Sequence, residues 1–186
     1  MLIDIFSLLL QILTALIAGT CLLRMYIHYC GIRLSLYSGN PIAPLVFALT
    51  NWAVLPLRRV LPAVGRLDTA SLIAAYLVTL VKYGVFWWMA ESSWDALNLP
   101  IQAAIEIAST CISGLFWIVI LYVVGSWFRS ATPAMSFIDL LVEPVLTPIR
   151  KAMPLIGGVD WSALALIVLL QVLEIVLHHF SRAILF

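Results

Sequence analysis

Two stretches decide the fold: Pro56-Leu57-Arg58-Arg59-Val60-Leu61-Pro62-Ala63-Val64-Gly65-Arg66-Leu67-Asp68 and Pro148-Ile149-Arg150-Lys151-Ala152-Met153-Pro154-Leu155-Ile156-Gly157-Gly158-Val159-Asp160. Every residue of the second lies 92 positions after its counterpart in the first. Two prolines, a basic pair, a glycine and an aspartate coincide without a gap. The chain is therefore an internal duplication, with repeats at 1–92 and 93–186. Each motif sits between two long apolar stretches, so each repeat reads as helix, connecting segment, helix. An even number of spans per repeat gives both halves the same orientation, related by an axis along the membrane normal.

Working outward from the motifs, four stretches have the roughly 20 apolar residues that a helix needs to cross about 30 Å of hydrocarbon. They run over 2–30, 69–90, 101–127 and 161–184. Composition agrees: of 186 residues, 64% are hydrophobic and 10% charged, and mean hydropathy is +1.12. A chain of this length has too little interior to hide that much apolar surface from water. The fold class expected is an all-α membrane protein, with four transmembrane helices as two tandem helix–loop–helix repeats and short interfacial amphipathic segments. A net charge of +1 argues against a nucleic-acid partner. The first stretch lacks a basic start and an A-x-A site, so it reads as an uncleaved helix rather than a signal peptide. The three cysteines, Cys21, Cys30 and Cys111, read as buried small hydrophobes, not a disulfide framework.

Basic residues set the expected orientation. Eight of the ten Lys/Arg flank or fill the two long connections: Arg24, Arg33, Arg58, Arg59 and Arg66, then Arg129, Arg150 and Lys151. The positive-inside rule places these in the cytoplasm and both termini outside. Trp87, Trp88 and Trp94 then fall at the outer interface, and Trp52, Trp127 and Trp161 at the inner one, as aromatic belts.

The paired pattern of proline, basic pair, proline, glycine and aspartate ahead of a membrane span resembles the YggT family, and Asn40-Pro41 at the start of the first connection fits it too. The likeness covers nearly the whole chain. Two positions depart from it: Arg66 stands where the family often has a second glycine, and Glu143-Pro144 replaces the first repeat's Asn51-Trp52. The resemblance implies a multi-pass protein of the bacterial inner membrane. It also implies a link to envelope and division-site organisation or to osmotic adaptation and ion uptake; plastid relatives are linked to membrane-complex biogenesis.

Within the motif, Pro56, Pro62, Pro148 and Pro154 punctuate the connecting segments, and Gly65 and Gly157 permit a tight turn. Asp68 and Asp160 are placed as helix N-caps, with an Asp–Arg pairing as the alternative. Pro44 and Pro56 argue against a regular spanning helix between Pro41 and Pro62. In the second copy, Asp139, Glu143, Thr147 and Arg150 share one face and Phe137, Leu140, Leu141, Val145 and Met153 supply apolar area. Ser136 is the expected N-cap of that segment. The plain reading of Arg58, Arg59, Arg150 and Lys151 is topological anchoring. The functional reading is a surface that docks anionic lipid headgroups or protein partners.

Ionisable residues inside the spans are the sharper signal, because a charge at the bilayer centre costs about 2.5–3.5 kcal/mol or more. Lys82 and Glu174 are also 92 positions apart, which suggests a cation opposite an anion. With Gln11, Thr14, Glu106 and His178 they are expected to form one polar layer, either an ion-paired knot that registers the helices or an ion or proton site. Small-residue contacts at Ala15/Gly19 and Ala104/Ala108 are a weaker expectation. His28 and His178 lie too far apart for one haem, and no nucleotide, zinc or serine-hydrolase signature occurs. No cofactor, no metal and no catalysis are expected. The function favoured is an interaction or assembly protein acting through its cytoplasmic segments, with membrane-protein partners or self-association. The alternative is a small cation transporter using the Lys/Glu layer.

Overall fold

A computed structural model describes residues 2–32, 42–61, 65–89, 98–128, 132–152 and 161–185. Pro62, Pro154, Gly157, Asp160, Met153, Trp94, Arg33, Arg129 and Asn40-Pro41 lie outside these. The described chain forms six helices: α1 (Leu2–Tyr29), α2 (Ile42–Val60), α3 (Thr69–Met89), α4 (Leu99–Phe128), α5 (Pro133–Ala152) and α6 (Ser162–Leu185). Four of them, α1, α3, α4 and α6, are long and apolar enough to cross a membrane. Their outer surfaces carry Leu9, Ile12, Trp117 and Ile175 in the open. That is the pattern of a helix bundle solvated by lipid.

Each repeat is a hairpin of two spans with a third helix wedged at its connected end. α1 packs on α3 and α4 on α6, while α2 fills the α1/α3 hairpin and α5 the α4/α6 hairpin. One core joins Cys21, Leu22, Val54, Ala70 and Ala74. Its repeat counterpart joins Val119, Val142, Leu146, Ala163, Leu166 and Leu170. A third cluster, Ile27 with Phe137 and Leu141, ties α1 of one repeat to α5 of the other.

The connecting segments differ from expectation. They are not short: α2 has 19 residues and α5 has 20. α2 is a continuous helix despite its prolines. Pro44 falls in the first turn, where no intrahelical donor is lost, and Pro56 lies one turn from the end. Nor does their apolar side simply face headgroups. Ala43, Val46, Thr50 and Val54 recur along one face of α2 and are buried against protein. In α5, Phe137 and Leu141 are buried, Leu140 is exposed, and Val142 and Leu146 complete the buried stripe. Thr132, not Ser136, caps α5: its hydroxyl accepts from Met135 N–H at 3.4 Å and its carbonyl from Ser136 N–H at 3.2 Å.

Two glycines carry backbone that other residues resist. α1 ends where Gly31, at φ 72°, lets its N–H donate to His28 O and that of Ile32 to Ile27 O. This is the double bond pattern that satisfies a helix's last carbonyls. Gly65 turns the chain into α3 at φ 63°, the role its place in the motif suggested.

Candidate functional site

At the connected end of the first repeat, Asp68 is fully buried one residue ahead of α3. Its Oδ2 accepts from Arg58 Nη2 at 2.5 Å and from the Ser71 hydroxyl at 2.7 Å. Capping and Asp–Arg pairing, the two readings open in the sequence, are thus one arrangement. Burial pushes the Asp68 carboxyl up, and the bonds from Arg58 and Ser71 outweigh it, so its pKa sits below the usual carboxylate value. Arg58 in this way pins the last turn of α2 to the first turn of α3.

Arg24 does the same from α1. It is buried, donates to Thr50 Oγ1 at 2.7 Å and Asn51 Oδ1 at 2.9 Å, and stacks over Phe47 at 5.1 Å. The sequence counted Arg24 only as a topological charge. Its burial inside α1 was the missed signal. In the second repeat, Arg150 bonds the Tyr122 hydroxyl at 2.9 Å. All four residues of the basic pairs are exposed, and the first of each pair, Arg58 or Arg150, also bonds within the fold.

The intramembrane polar residues fall into separate groups rather than one layer. Lys82 meets Glu106, not Glu174, with both carboxylate oxygens accepting from its ammonium. Lys82 also lies over the Tyr83 ring at 4.6 Å. Repeat symmetry puts Lys82 and Glu174 at equivalent positions, but equivalent positions on a duplicated bundle need not face each other. The carboxylate that reaches Lys82 comes from the neighbouring repeat, across the α3/α4 contact. Glu174 instead accepts from the Ser109 hydroxyl at 2.5 Å and lies 3.3 Å from His178 Nε2. Its Oε2 is buried without a hydrogen-bond partner among the described residues. Ser109 was not anticipated, since a lone serine in a span carries no sequence signal. Thr14 is buried, yet its hydroxyl returns to Leu10 O and Gln11 O of its own helix. Gln11 is exposed. Neither joins the Lys82 or Glu174 groups within the chain.

A groove of about 530 Å³ opens between α1 and α4, lined almost wholly by apolar atoms. Its lining includes repeat-equivalent positions from both helices: Gly19 and Cys111, Leu22 and Gly114, Tyr26 and Ile118. Of the expected small-residue contacts, Gly19 lines this groove, while Ala15 and Ala104 are exposed. No group of three His, Cys, Asp or Glu able to hold a metal ion occurs among the described residues.

Comparison with known proteins agrees with the duplication. The CCB3/YggT family model matches residues 1–89 and again 101–181. Escherichia coli (strain K12) has a relative, "Uncharacterized protein YggT", 31% identical over 139 residues, or 73% of this chain and 71% of the relative. A Vibrio alginolyticus protein, "Uncharacterized protein in proC 3'region", is 32% identical over 138 residues, 71% of this chain and 73% of the relative. One from Pseudomonas aeruginosa, "Uncharacterized protein PA0392", is 29% identical over 146 residues, 73% and 71%. No solved structure gives a significant match. With both repeats matched and all four spans in place, the chain belongs to the CCB3/YggT family.

Proposed function

We propose that this protein is a non-enzymatic interaction and assembly element of the bacterial inner membrane, with its termini outside and α2 and α5 on the cytoplasmic face. The exposure of both basic pairs carries this reading. In each repeat both cations are exposed, and the first is also anchored within the fold, Arg58 to Asp68 and Arg150 to Tyr122. The result is the same cationic surface made twice, suited to an acidic protein segment held beside anionic headgroups. Site-specific photo-crosslinking from positions 59 and 151 in intact membranes tests it. A defined protein adduct that vanishes in the Arg59→Glu/Lys151→Glu variant supports docking. An adduct pattern unchanged by the reversal, or adducts to lipid alone, overturns it.

A cation-transport reading rests on one observation, the buried Glu174 Oε2 with no partner among the described residues, since an unsatisfied intramembrane carboxylate oxygen is a natural cation or proton ligand. Potassium flux into proteoliposomes, run beside Glu174→Gln, decides it. Flux lost in the variant supports transport, and none from folded protein removes it.

A further inference from the structure

The contact between the two repeats is one-sided. α3 lies on α4, with Lys82 meeting Glu106 and the Tyr76 hydroxyl donating to Pro100 O at 3.3 Å. Moving each residue by 92 positions turns this contact into α6 lying on α1. Among the described residues α6 packs on α4 and α5 and has no comparable packing with α1. The two faces that the repeat boundary covers are therefore bare at the outer edges. On α4, Ala103 is 0% and Ile107 8% exposed, whereas their counterparts on α1, Gln11 and Ala15, are both exposed. On α3, Thr79 is 3% exposed, whereas its counterpart on α6, Gln171, is exposed.

Those bare faces carry exposed polar side chains that complement each other. α6 presents Gln171, His178 and Arg182 along one exposed stripe, and α1 presents Gln11. Lys82 and Glu106 meet, so their counterparts Glu174 and Thr14 belong at one depth. α1 and α6 run in opposite directions. Gln11 is then about 4.5 Å outward of that level and His178 about 6 Å, at roughly 1.5 Å per residue. Amide meets imidazole.

We propose that a second copy of this chain docks its α1 against α6, head to tail, repeating between molecules the α3/α4 contact that joins the repeats within one. The contact is heterologous: each copy keeps one free α1 and one free α6 face, so association closes as a ring or extends. It stands apart from any role of Arg59 and Lys151.

Disulfide trapping tests it. In a background with Cys21, Cys30 and Cys111 changed to Ala, chains carrying Gln11→Cys are mixed in liposomes with chains carrying His178→Cys. At least tenfold more cross-linking in the mixture than in either variant alone is the expected result. Equal or greater cross-linking within a single variant overturns the head-to-tail geometry, and no cross-linking overturns the contact. The chain with its native cysteines gives a second readout by stepwise photobleaching in native-lipid discs. Multiple steps that fall to one in Gln11→Leu support the proposal, whereas single steps, or multiple steps unchanged by that variant, overturn it.

Discussion

Removing Glu106 should harm this protein more than removing Lys82. The ammonium of Lys82 is the more buried partner, its side chain 7% exposed against 28% for Glu106. Breaking a buried pair from one side strands the other charge and costs about 3–5 kcal/mol in water-soluble proteins. A bare cation at mid-bilayer costs about 2.5–3.5 kcal/mol on insertion scales. The two ranges meet near 3 kcal/mol, which is the expected loss for Glu106→Gln. For Lys82→Met about 2 kcal/mol is expected, because replacement of one charge by a well-packed apolar chain recovers part of the cost. The double variant Lys82→Met/Glu106→Leu should be close to wild type, as neither charge is then stranded. Equilibrium unfolding in bicelles by steric trapping gives all three values and their coupling. Adding Glu174→Gln to Lys82→Met should be additive within about 0.5 kcal/mol, as expected for sites without a shared bond. Singles within about 0.5 kcal/mol of wild type, or strong coupling of Lys82 to Glu174, would refute the wiring.

Three further outcomes follow from the connected end of the first repeat. Asp68→Asn removes a charge-assisted bond to Arg58 and should cost about 1.5–3 kcal/mol near neutral pH. Because the Asp68 pKa is lowered from 3.8, its contribution is full above that value and fades as pH falls through the lower folded value. The wild type should therefore lose stability on acidification in a step that Asp68→Asn lacks. Thr50→Val takes an acceptor from buried Arg24 and should cost about 1–3 kcal/mol, read as a lower unfolding midpoint. It should also raise labelling of a cysteine placed at Ala43. Gly65→Ala finds open space for its Cβ but holds φ 63°, so it should cost about 1–2 kcal/mol, with Gly65→Asn milder. Thermal unfolding in detergent measures both.

Spans and duplication were legible because they are long-range averages and exact spacings. Hydrocarbon demands some twenty apolar residues wherever a helix crosses it, and a repeat offset needs no geometry to be seen. The connecting helices were read less well. Prolines were weighed as breakers, although Pro44 in the first turn of α2 costs no intrahelical bond. Ser136 looked like a cap, but the helix begins one turn earlier at Pro133.

By itself, the sequence determined the number of spans, the tandem repeats and the ionisable residues that fall within the spans, since each follows from composition and spacing along the chain. Which charge meets which was decided only by the tertiary structure. Lys82 faces Glu106 because α3 leans on α4 across the repeat boundary, and Glu174 is left to Ser109 and His178. Likewise only packing buries Arg24 against Thr50 and brings Arg58 onto Asp68. A repeat offset fixes position along each helix, whereas rotation and neighbour are set by how side chains fill the space between helices.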